Sequence, residues 1–252
     1  MTNTPLVSVI MPCYNSERFI AESIDSVIGQ SYPNFELLIT DDSSTDNSME
    51  IIKNKVEKDN RIKLFILKER KGIAKARNNS LSHAKGRFIA FLDSDDIWTS
   101  NKLSTQINFM INNNIGFSYS NYELIDEEGR KKNKIIKNAG TIGYKEYARN
   151  TIIGCGTVII DRDIVGDFRM PIFDTSEDMA TWLDIMKKGF KAHPVNEALL
   201  LYRVSRDSAS SRKFKAAADV WRVYRKNEKM TTIQSVMNFL CYAFNAIKKR
   251  IM

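Results

Sequence analysis

Cysteine and histidine are scarce in this chain of 252 residues, which holds three Cys and two His. Cys13, Cys155 and Cys241 are widely spaced and form no Cys-x-x-Cys pair, so we expect free thiols in a reducing compartment. His83 and His193 are also far apart, which argues against a zinc site. We therefore expect neither a disulfide framework nor a zinc-stabilised fold.

Long apolar runs are also missing. No stretch reaches the ~20 apolar residues that a membrane-spanning helix needs. Residues 1–3 are polar and a strand-like run follows, so we expect no secretory signal. The hydrophobic fraction of 43% and the charged fraction of 27% are typical of a globular protein with a core. The length predicts one large α/β domain, or one domain with an appendage.

Positive charge is concentrated near the C-terminus, although the whole chain carries a net charge of +8. Residues 203–252 contain 12 Lys or Arg against 3 Asp or Glu, whereas residues 1–202 contain 26 against 27. Residues 214–227 and 233–247 follow helical patterns, the second with one apolar side. This segment is either a packed terminal helix or a helix lying on an anionic membrane surface, and the second interpretation is favoured. Nucleic acid is not an expected partner, because no recognition motif accompanies the basic residues.

The apolar run of residues 88–92 ends in three carboxylates, Asp93, Asp95 and Asp96. Such a run is typical of a buried central strand, and open α/β sheets bind ligands where parallel strands end. Because residues i and i+2 of a strand point the same way, Asp93 and Asp95 would repel each other unless a cation lies beside them. A hard divalent cation takes oxygen ligands and bridges carboxylates to substrate phosphates. The alternative is an acidic loop that only caps the next helix.

Strands and helices alternate along the first half of the chain, which predicts βαβ crossovers and a parallel sheet. The carboxyl ends of parallel strands lie on one edge, so residues 12–15, 41–42 and 93–96 should converge there. Ser16 is a predicted N-cap of the first helix, and Thr175 or Ser176 of a later helix. The remaining predictions are strands at 6–13, 35–40, 62–67, 116–122, 154–160 and 198–203, helices at 72–85 and 100–112, and a charged turn at 127–132.

Six short motifs follow one another along the chain. Together they resemble family 2 inverting glycosyltransferases of the GT-A type, over about residues 6–210. Within that family the chain is most similar to bacterial enzymes that build O-antigen, capsule or teichuronic-type polysaccharides. The motifs are VSVIMPCYN at 7–15, DDSSTD at 41–46, RN at 77–78, FLDSDD at 91–96, ED at 177–178 and YR at 202–203.

The resemblance implies a nucleoside-diphosphate sugar donor, usually UDP-linked, a Mn²⁺ or Mg²⁺ ion and a hydroxyl acceptor. Asp95 is implied as the direct metal ligand, with Asp93 at the ribose or in the hydration shell of the metal. Pro12 and Tyr14 would line the nucleoside pocket, and Asp42 would bind uracil. The full set implied to bind the donor is Pro12, Tyr14, Asp41, Asp42, Arg77, Asp93 and Ser94.

Asp178 corresponds to the catalytic base of the family, and we expect the dipole at the start of its helix to keep it ionised. Its alternative role is helix capping alone. Glu177, Trp182 and Arg203 are candidates for acceptor binding, although Trp182 is as well explained as a core residue. The family often has a histidine after the last motif; Ser205 stands there in this chain, and Arg206 or Ser208 could substitute for it.

The resemblance implies a nucleotide-sugar-binding half at 1–100, an acceptor-binding half at 101–210 and a basic helical extension at 211–252. The implied function is transfer of galactose or glucose from a UDP-sugar to a polyprenyl-diphosphate-linked saccharide, at the cytoplasmic face of the inner membrane. One alternative is a sugar nucleotidyltransferase, but the glycine-rich phosphate loop typical of that class is absent after Met11. The other is a non-catalytic sugar-nucleotide-binding protein, which has no need for Asp93, Asp95 and Asp178 together.

Overall fold

The computed structural model describes residues 4–173, 175–204 and 213–251. Nine strands of these residues form one sheet. The strands are β1 (Val7–Cys13), β2 (Phe35–Asp41), β3 (Ile62–Ile66), β4 (Phe88–Phe91), β5 (Ile97–Trp98), β6 (Phe117–Ile125), β7 (Lys131–Ile136), β8 (Val158–Asp161) and β9 (His193–Arg203).

Helices connect and cover the strands. The helices are α1 (Ile20–Ile28), α2 (Ser48–Val56), α3 (Ile73–His83), α4 (Lys102–Asn113), α5 (Tyr144–Arg149), α6 (Arg162–Val165), α7 (Glu177–Lys187), α8 (Lys213–Arg222) and α9 (Thr232–Ile251). A π-helical turn at Val223–Asn227 continues α8. None of the described helices is both long and apolar enough to cross a membrane.

The sheet order is β3-β2-β1-β4-β8-β6-β9-β5, with β7 paired to β6. β1, β2, β3, β4, β6 and β9 run in one direction, and β5, β7 and β8 run against it. The predicted α/β fold with a mostly parallel sheet is therefore confirmed.

The two faces of the sheet bury separate apolar cores. β1 and β2 are buried along their whole length, as expected for strands covered on both faces. Side chains alternate between the faces, so Ile10 belongs to one core, and Val9 and Met11 to the other. α1, α2 and α4 contribute to the core with Val9, whereas α5, α7 and α8 contribute to the core with Ile10.

Several local predictions were wrong. α1 begins at Ile20 with Phe19 at its N-cap, and the Ser16 side chain caps nothing there; the backbone carbonyl of Ser16 accepts the N–H groups of Phe19 and Ile20 instead. The strand predicted from residue 154 begins only at Val158, because the residues before it form a 3₁₀ turn. The charged turn predicted at 127–132, in contrast, is confirmed, because this segment closes a hairpin between β6 and β7.

The C-terminal helices pack against the sheet domain. Val220, Val223 and Tyr224 are buried in its core, and Tyr224 Oη donates to the carbonyl of Ala148 over 2.5 Å. The apolar side predicted for residues 233–247 is nevertheless exposed along α9, while Ser235 on another side of the helix is buried. The helix therefore belongs to the fold and still presents an apolar surface to solvent.

Candidate active site

The loops after β1, β2 and β4 meet at one edge of the sheet. The backbone N–H of Asp42 donates to the carbonyl of Cys13 over 2.8 Å, which joins the ends of β2 and β1. The hydroxyl groups of Ser16 and Ser94 share a hydrogen bond of 2.7 Å, which joins the ends of β1 and β4. The predicted convergence of the three polar segments is therefore confirmed.

Asp41 and Asp42, here called the β2 pair, are buried and bind groups of the protein itself. Asp41 accepts hydrogen bonds from the backbone N–H and the hydroxyl of Ser44, at 3.0 and 2.5 Å. Asp42 accepts from the backbone N–H of Lys71 at 2.7 Å and of Gly72 at 2.8 Å, just before α3. A carboxylate offers about four acceptor positions, so a uracil contact at Asp42 stays a prediction beside this structural role.

The predicted nucleoside pocket lies next to the β2 pair. Pro12 is buried in β1, and Tyr14 is half-buried just after it. The guanidinium of Arg70 lies over the Tyr14 ring, 3.8 Å from its centre. Ser43 adopts φ 64°, a left-handed conformation that favours glycine, the residue common at this position in the family.

Asp93, Asp95 and Asp96, here called the β4 cluster, lie within four residues. Asp93 Oδ1 accepts from Arg77 Nη2 at 2.5 Å, and Asp96 Oδ1 accepts from the backbone N–H of Arg203 at 2.9 Å. Burial and the charge of Asp93 raise the pKa of Asp95 to about 6. Burial and the two neighbouring aspartates raise the pKa of Asp96 well above its usual range. Negative charge is therefore crowded at the end of β4.

The carboxylates of the β4 cluster suit a divalent cation that also binds substrate phosphates. Among the described residues, no three His, Cys, Asp or Glu side chains converge closely enough to hold a metal ion by themselves. Magnesium-like ions commonly bind one or two carboxylates and complete their shell with substrate phosphates and water. Asp95 and Asp93 would supply such a partial shell, which suits a cation that a bound diphosphate completes.

Arg77 of α3 connects the β4 cluster to the start of α7. Its Nη2 pairs with Asp93, its Nη1 pairs with Glu177, and the side chains of Arg77 and Glu177 are only 2% and 5% exposed. Arg77 Nε and Glu177 Oε2 are buried without a hydrogen-bond partner among the described residues. Arg77 is thus a buried counter-ion between two acidic segments, and its contact with a donor stays a prediction.

A cavity of about 360 Å³ opens beside this ion pair. Arg77, Asp93, Glu177 and Asp178 line one side of it. Four predicted site residues from three separate segments therefore share one cavity. Asp42 and Asp95 are not among the described residues that line it; Asp42 is connected to it through α3, and Asp95 through Asp93.

Asp178 lies in the first turn of α7 and faces the cavity. Its Oδ1 accepts the backbone N–H of Met179 at 2.7 Å, which fixes the direction of the carboxylate. Burial raises the pKa of Asp178, while the charge of Arg77 acts in the opposite direction. Ionisation of Asp178 through the helix dipole stays a prediction beside this effect of burial. A raised pKa makes the carboxylate a better proton acceptor near neutral pH.

Two predicted acceptor residues are buried inside the protein. Trp182 is fully buried in the core, 5.5 Å from the Phe91 ring and 5.3 Å from the Phe117 ring between centroids. Arg203 is also buried: its Nε donates to the carbonyl of Asp95 at 2.7 Å, and its Nη2 pairs with Glu22 at 2.6 Å. Both side chains thus contact groups of the protein itself, and acceptor binding by either residue stays a prediction. Arg203 stabilises the loop that carries the β4 cluster.

Sequence reasoning missed several other residues that line the cavity. They include Tyr147 of α5, Val220 of α8 and Tyr242 of α9. The helical period of the C-terminal segment predicts a helix, but not the surface that the helix covers. The predicted substitutes for the family histidine, Ser205, Arg206 and Ser208, lie outside the described residues.

Two solved structures share the chain path of this protein. S. aureus TarS 1–349 in complex with UDP-GlcNAc matches with a TM-score of 0.70 and 21% identity, over 87% of this chain and 64% of that one. The mannosyltransferase PcManGT from Pyrobaculum calidifontis, in complex with GDP-Man and Mn²⁺, matches with a TM-score of 0.71 and 20% identity, over 92% and 66%. At these identities the likeness shows the fold, which is GT-A.

Residues 8–168 match the sequence profile of glycosyl transferase family 2, and the chain belongs to that family. A provisional teichuronic acid biosynthesis glycosyltransferase of Bacillus subtilis, TuaG, is 44% identical over 252 residues, which is 100% of both chains. The Escherichia coli UDP-Glc:alpha-D-GlcNAc-diphosphoundecaprenol beta-1,3-glucosyltransferase WfgD is 44% identical over 220 residues, 86% of this chain and 85% of that one. The Escherichia coli enzyme WfaP, whose name gives the same reaction, is 43% identical over 210 residues, which is 83% of this chain and 82% of that one. The resemblance identified from the motifs is confirmed.

Proposed function

We propose that this protein is an inverting hexosyltransferase that moves glucose or galactose from a UDP-sugar to a hydroxyl of a lipid-diphosphate-linked saccharide. The product would enter a bacterial surface polysaccharide such as O-antigen or capsule. The observation that carries the proposal is the single cavity shared by Arg77, Asp93, Glu177 and Asp178. The names of the relatives WfgD and WfaP support the donor and acceptor classes, and they favour glucose over galactose.

The proposed reaction is one in-line displacement. The acceptor oxygen forms a bond to the anomeric carbon while the bond from that carbon to the donor diphosphate breaks, and the electron pair leaves with UDP. The proton of the acceptor hydroxyl passes to the carboxylate of Asp178. The fixed carboxylate at the start of α7, with its raised pKa, supports this role.

Mn²⁺ or Mg²⁺ is the proposed cofactor, held by Asp95 with Asp93. When bound, such a cation supplies Lewis-acid stabilisation of the departing diphosphate. The crowding of three carboxylates after β4 supports this assignment. Arg77 orients the carboxylate of Asp93, because the buried guanidinium pairs with Asp93 and with Glu177 at the same time.

The proposed location is the cytoplasmic face of the inner membrane, with the C-terminal helices on its anionic surface. Ile233, Met237, Leu240 and Phe244 are 75%, 57%, 63% and 67% exposed, and their spacing places them on one side of α9. We call these four residues the α9 stripe. The sequence of α9 contains no Asp or Glu and includes Lys248, Lys249 and Arg250 near its end. An apolar side with basic neighbours favours a helix lying in the membrane plane.

The reaction is tested by offering UDP-glucose, UDP-galactose and GDP-sugars together with a synthetic lipid-diphosphate GlcNAc or GalNAc. We expect transfer from a UDP-hexose, with inversion of the anomeric configuration read by NMR. Retention of configuration, or no transfer from any UDP-hexose, would contradict the proposal.

The location is tested with Leu240→Ser/Phe244→Ser in cell fractionation. Substitution is preferable to truncation, because α9 also packs against the core through Phe239 and Tyr242. Ile66→Ser/Ile172→Ser is a matched control, since both isoleucines are exposed outside α9. We expect only the α9 variant to move to the soluble fraction, and equal fractionation of the two variants would contradict membrane binding by α9.

A further inference from the structure

A second concave surface lies between α5 and α9. This groove of about 280 Å³ has an apolar floor that includes Ala148 and Met230, and its rim carries Lys145 and Arg149. The two basic residues are four positions apart on α5, so they lie on the same side of that helix. The groove therefore combines an apolar floor with two adjacent cations.

Nearby carboxylates are occupied elsewhere. Glu146 Oε2 turns back to accept the backbone N–H of Gly143 at 3.2 Å. The carboxylate of Glu228 is buried, accepts from Tyr144 Oη at 2.6 Å and pairs with Lys187 at 2.6 Å. Within the described residues, neither Lys145 nor Arg149 forms an ion pair of its own. The charge that the groove presents to solvent is therefore positive.

The groove is continuous with the α9 stripe. Met237 lines the groove and is also one of the four exposed residues of the stripe. A bilayer that covers the stripe would therefore meet the groove at its edge. Its anionic headgroups would approach Lys145 and Arg149, while the start of an acyl chain would approach Met237.

We propose that the groove between α5 and α9 binds the phosphate headgroup of an anionic phospholipid in the membrane. This inference rests on the proposed membrane association and deepens it, because it adds a second contact beside the α9 stripe and so fixes the rotation of the protein on the bilayer. α5 and α9 also contribute Tyr147 and Tyr242 to the catalytic cavity. Fixing these two helices on the membrane therefore sets the distance between the bilayer surface and Asp178.

The test is cosedimentation of the full chain with vesicles of phosphatidylglycerol and phosphatidylcholine, or of phosphatidylcholine alone. The variant is Lys145→Gln/Arg149→Gln. The matched control, Lys53→Gln/Lys58→Gln, removes the same charge from an exposed surface of α2 and the residues after it. Because each basic side chain near an anionic surface contributes roughly fivefold, we expect about a 25-fold loss of affinity for anionic vesicles in the groove variant.

The control variant should lose much less affinity, and binding to phosphatidylcholine alone should be weak for all proteins. Equal losses in the two variants would show general charge attraction and overturn the site. Displacement of vesicles by millimolar glycerol 3-phosphate would indicate a site for a soluble phosphate, and absence of vesicle binding by the wild type would overturn the site outright.

The assay contains no sugar donor, so its result is independent of whether the proposed transfer reaction occurs. The melting temperature of the groove variant should equal that of the wild type, which would show that the variant is folded.

Discussion

The β2 pair and the β4 cluster follow neighbouring parallel strands and end at the same edge of the sheet, but they differ in what they bind. The carboxylates of the β2 pair receive hydrogen bonds from Ser44, Lys71 and Gly72, which fix the turn after β2 and the start of α3. In the β4 cluster, burial and mutual repulsion raise the pKa of Asp95 and Asp96. Consecutive acids after a strand can therefore hold the local backbone in place, as in the β2 pair, or remain crowded and raise one another's pKa, as Asp95 and Asp96 do.

The largest expected effect is that of Asp95→Asn in the β4 cluster. We expect transfer to fall about 10³-fold or more, because a divalent cation contributes several kcal/mol to such a transition state. The melting temperature should stay the same or rise, since the substitution removes one of several crowded carboxylates. Initial rates with and without Mn²⁺, and thermal unfolding, measure the two effects.

The control for this substitution is Asp163→Asn, at an exposed carboxylate. It should leave both the rate and the melting temperature near those of the wild type. Full wild-type activity in the presence of a chelator would exclude the metal role of the β4 cluster.

Asp178→Asn tests the proposed base, which lines the cavity together with Asp93 of the β4 cluster. We expect kcat to fall about 10²- to 10⁴-fold, the usual contribution of a general base, while UDP binding is kept. Because burial raises the pKa of Asp178, kcat of the wild type should decline on the acid side at a higher pH than an ordinary aspartate would give. Initial rates measure kcat, and calorimetric titration with UDP measures nucleotide binding separately.

Asp184→Asn is the matched control for Asp178, since Asp184 lies on the same helix and bonds to Asn227 at 3.1 Å rather than facing the cavity. Transfer should continue in this variant at close to the wild-type rate. If Asp178→Asn behaved like Asp184→Asn, the base would be another residue.

Much of this site could be predicted from the sequence because its parts are local. Strand patterns predict that Asp93 and Asp95 follow a short apolar strand. Helix patterns predict that Asp178 lies at the start of a helix. Parallel strands then bring residues of distant segments to one edge, and the structure confirms this through the bond between Ser16 and Ser94.

The remaining features depend on tertiary packing. Nothing in the sequence indicates that Arg77 is a buried counter-ion of both Asp93 and Glu177, since these contacts join residues 16 and 100 positions away. Trp182 and Arg203 belong to motif-bearing segments, yet their side chains are buried among partners that no local pattern specifies. Tyr242 reaches the cavity only because α9 folds back onto α5.

A smaller effect distinguishes the β2 pair from the β4 cluster by stability. Asp42→Asn replaces one carboxylate oxygen with an amide nitrogen, which cannot accept the N–H of Lys71 or Gly72. We expect the free energy of unfolding to fall by about 2 kcal/mol, the contribution of a hydrogen bond to a charged group. The melting temperature should then fall by roughly 4–8 °C. Asp95→Asn serves as the comparison. A similar melting temperature for Asp42→Asn and Asp95→Asn would contradict the view that the β2 pair stabilises the fold and the β4 cluster does not.

The smallest effect concerns the buried amine of Lys102. Lys102 begins α4, donates to the carbonyl of Thr157 at 3.2 Å and lies 5.2 Å from the centre of the Trp98 ring. Burial lowers the pKa of Lys102 to about 7 from 10.5. Between these values the unfolded chain binds the proton more tightly than the folded protein, so the free energy of unfolding increases as pH rises through this window.

Lys102→Met should therefore raise the melting temperature more at pH 7 than at pH 10, because only at the lower pH does the wild type bury a partly charged amine. Thermal unfolding of both proteins across this range measures the difference. An equal effect at both pH values would mean that Lys102 stays protonated in the fold.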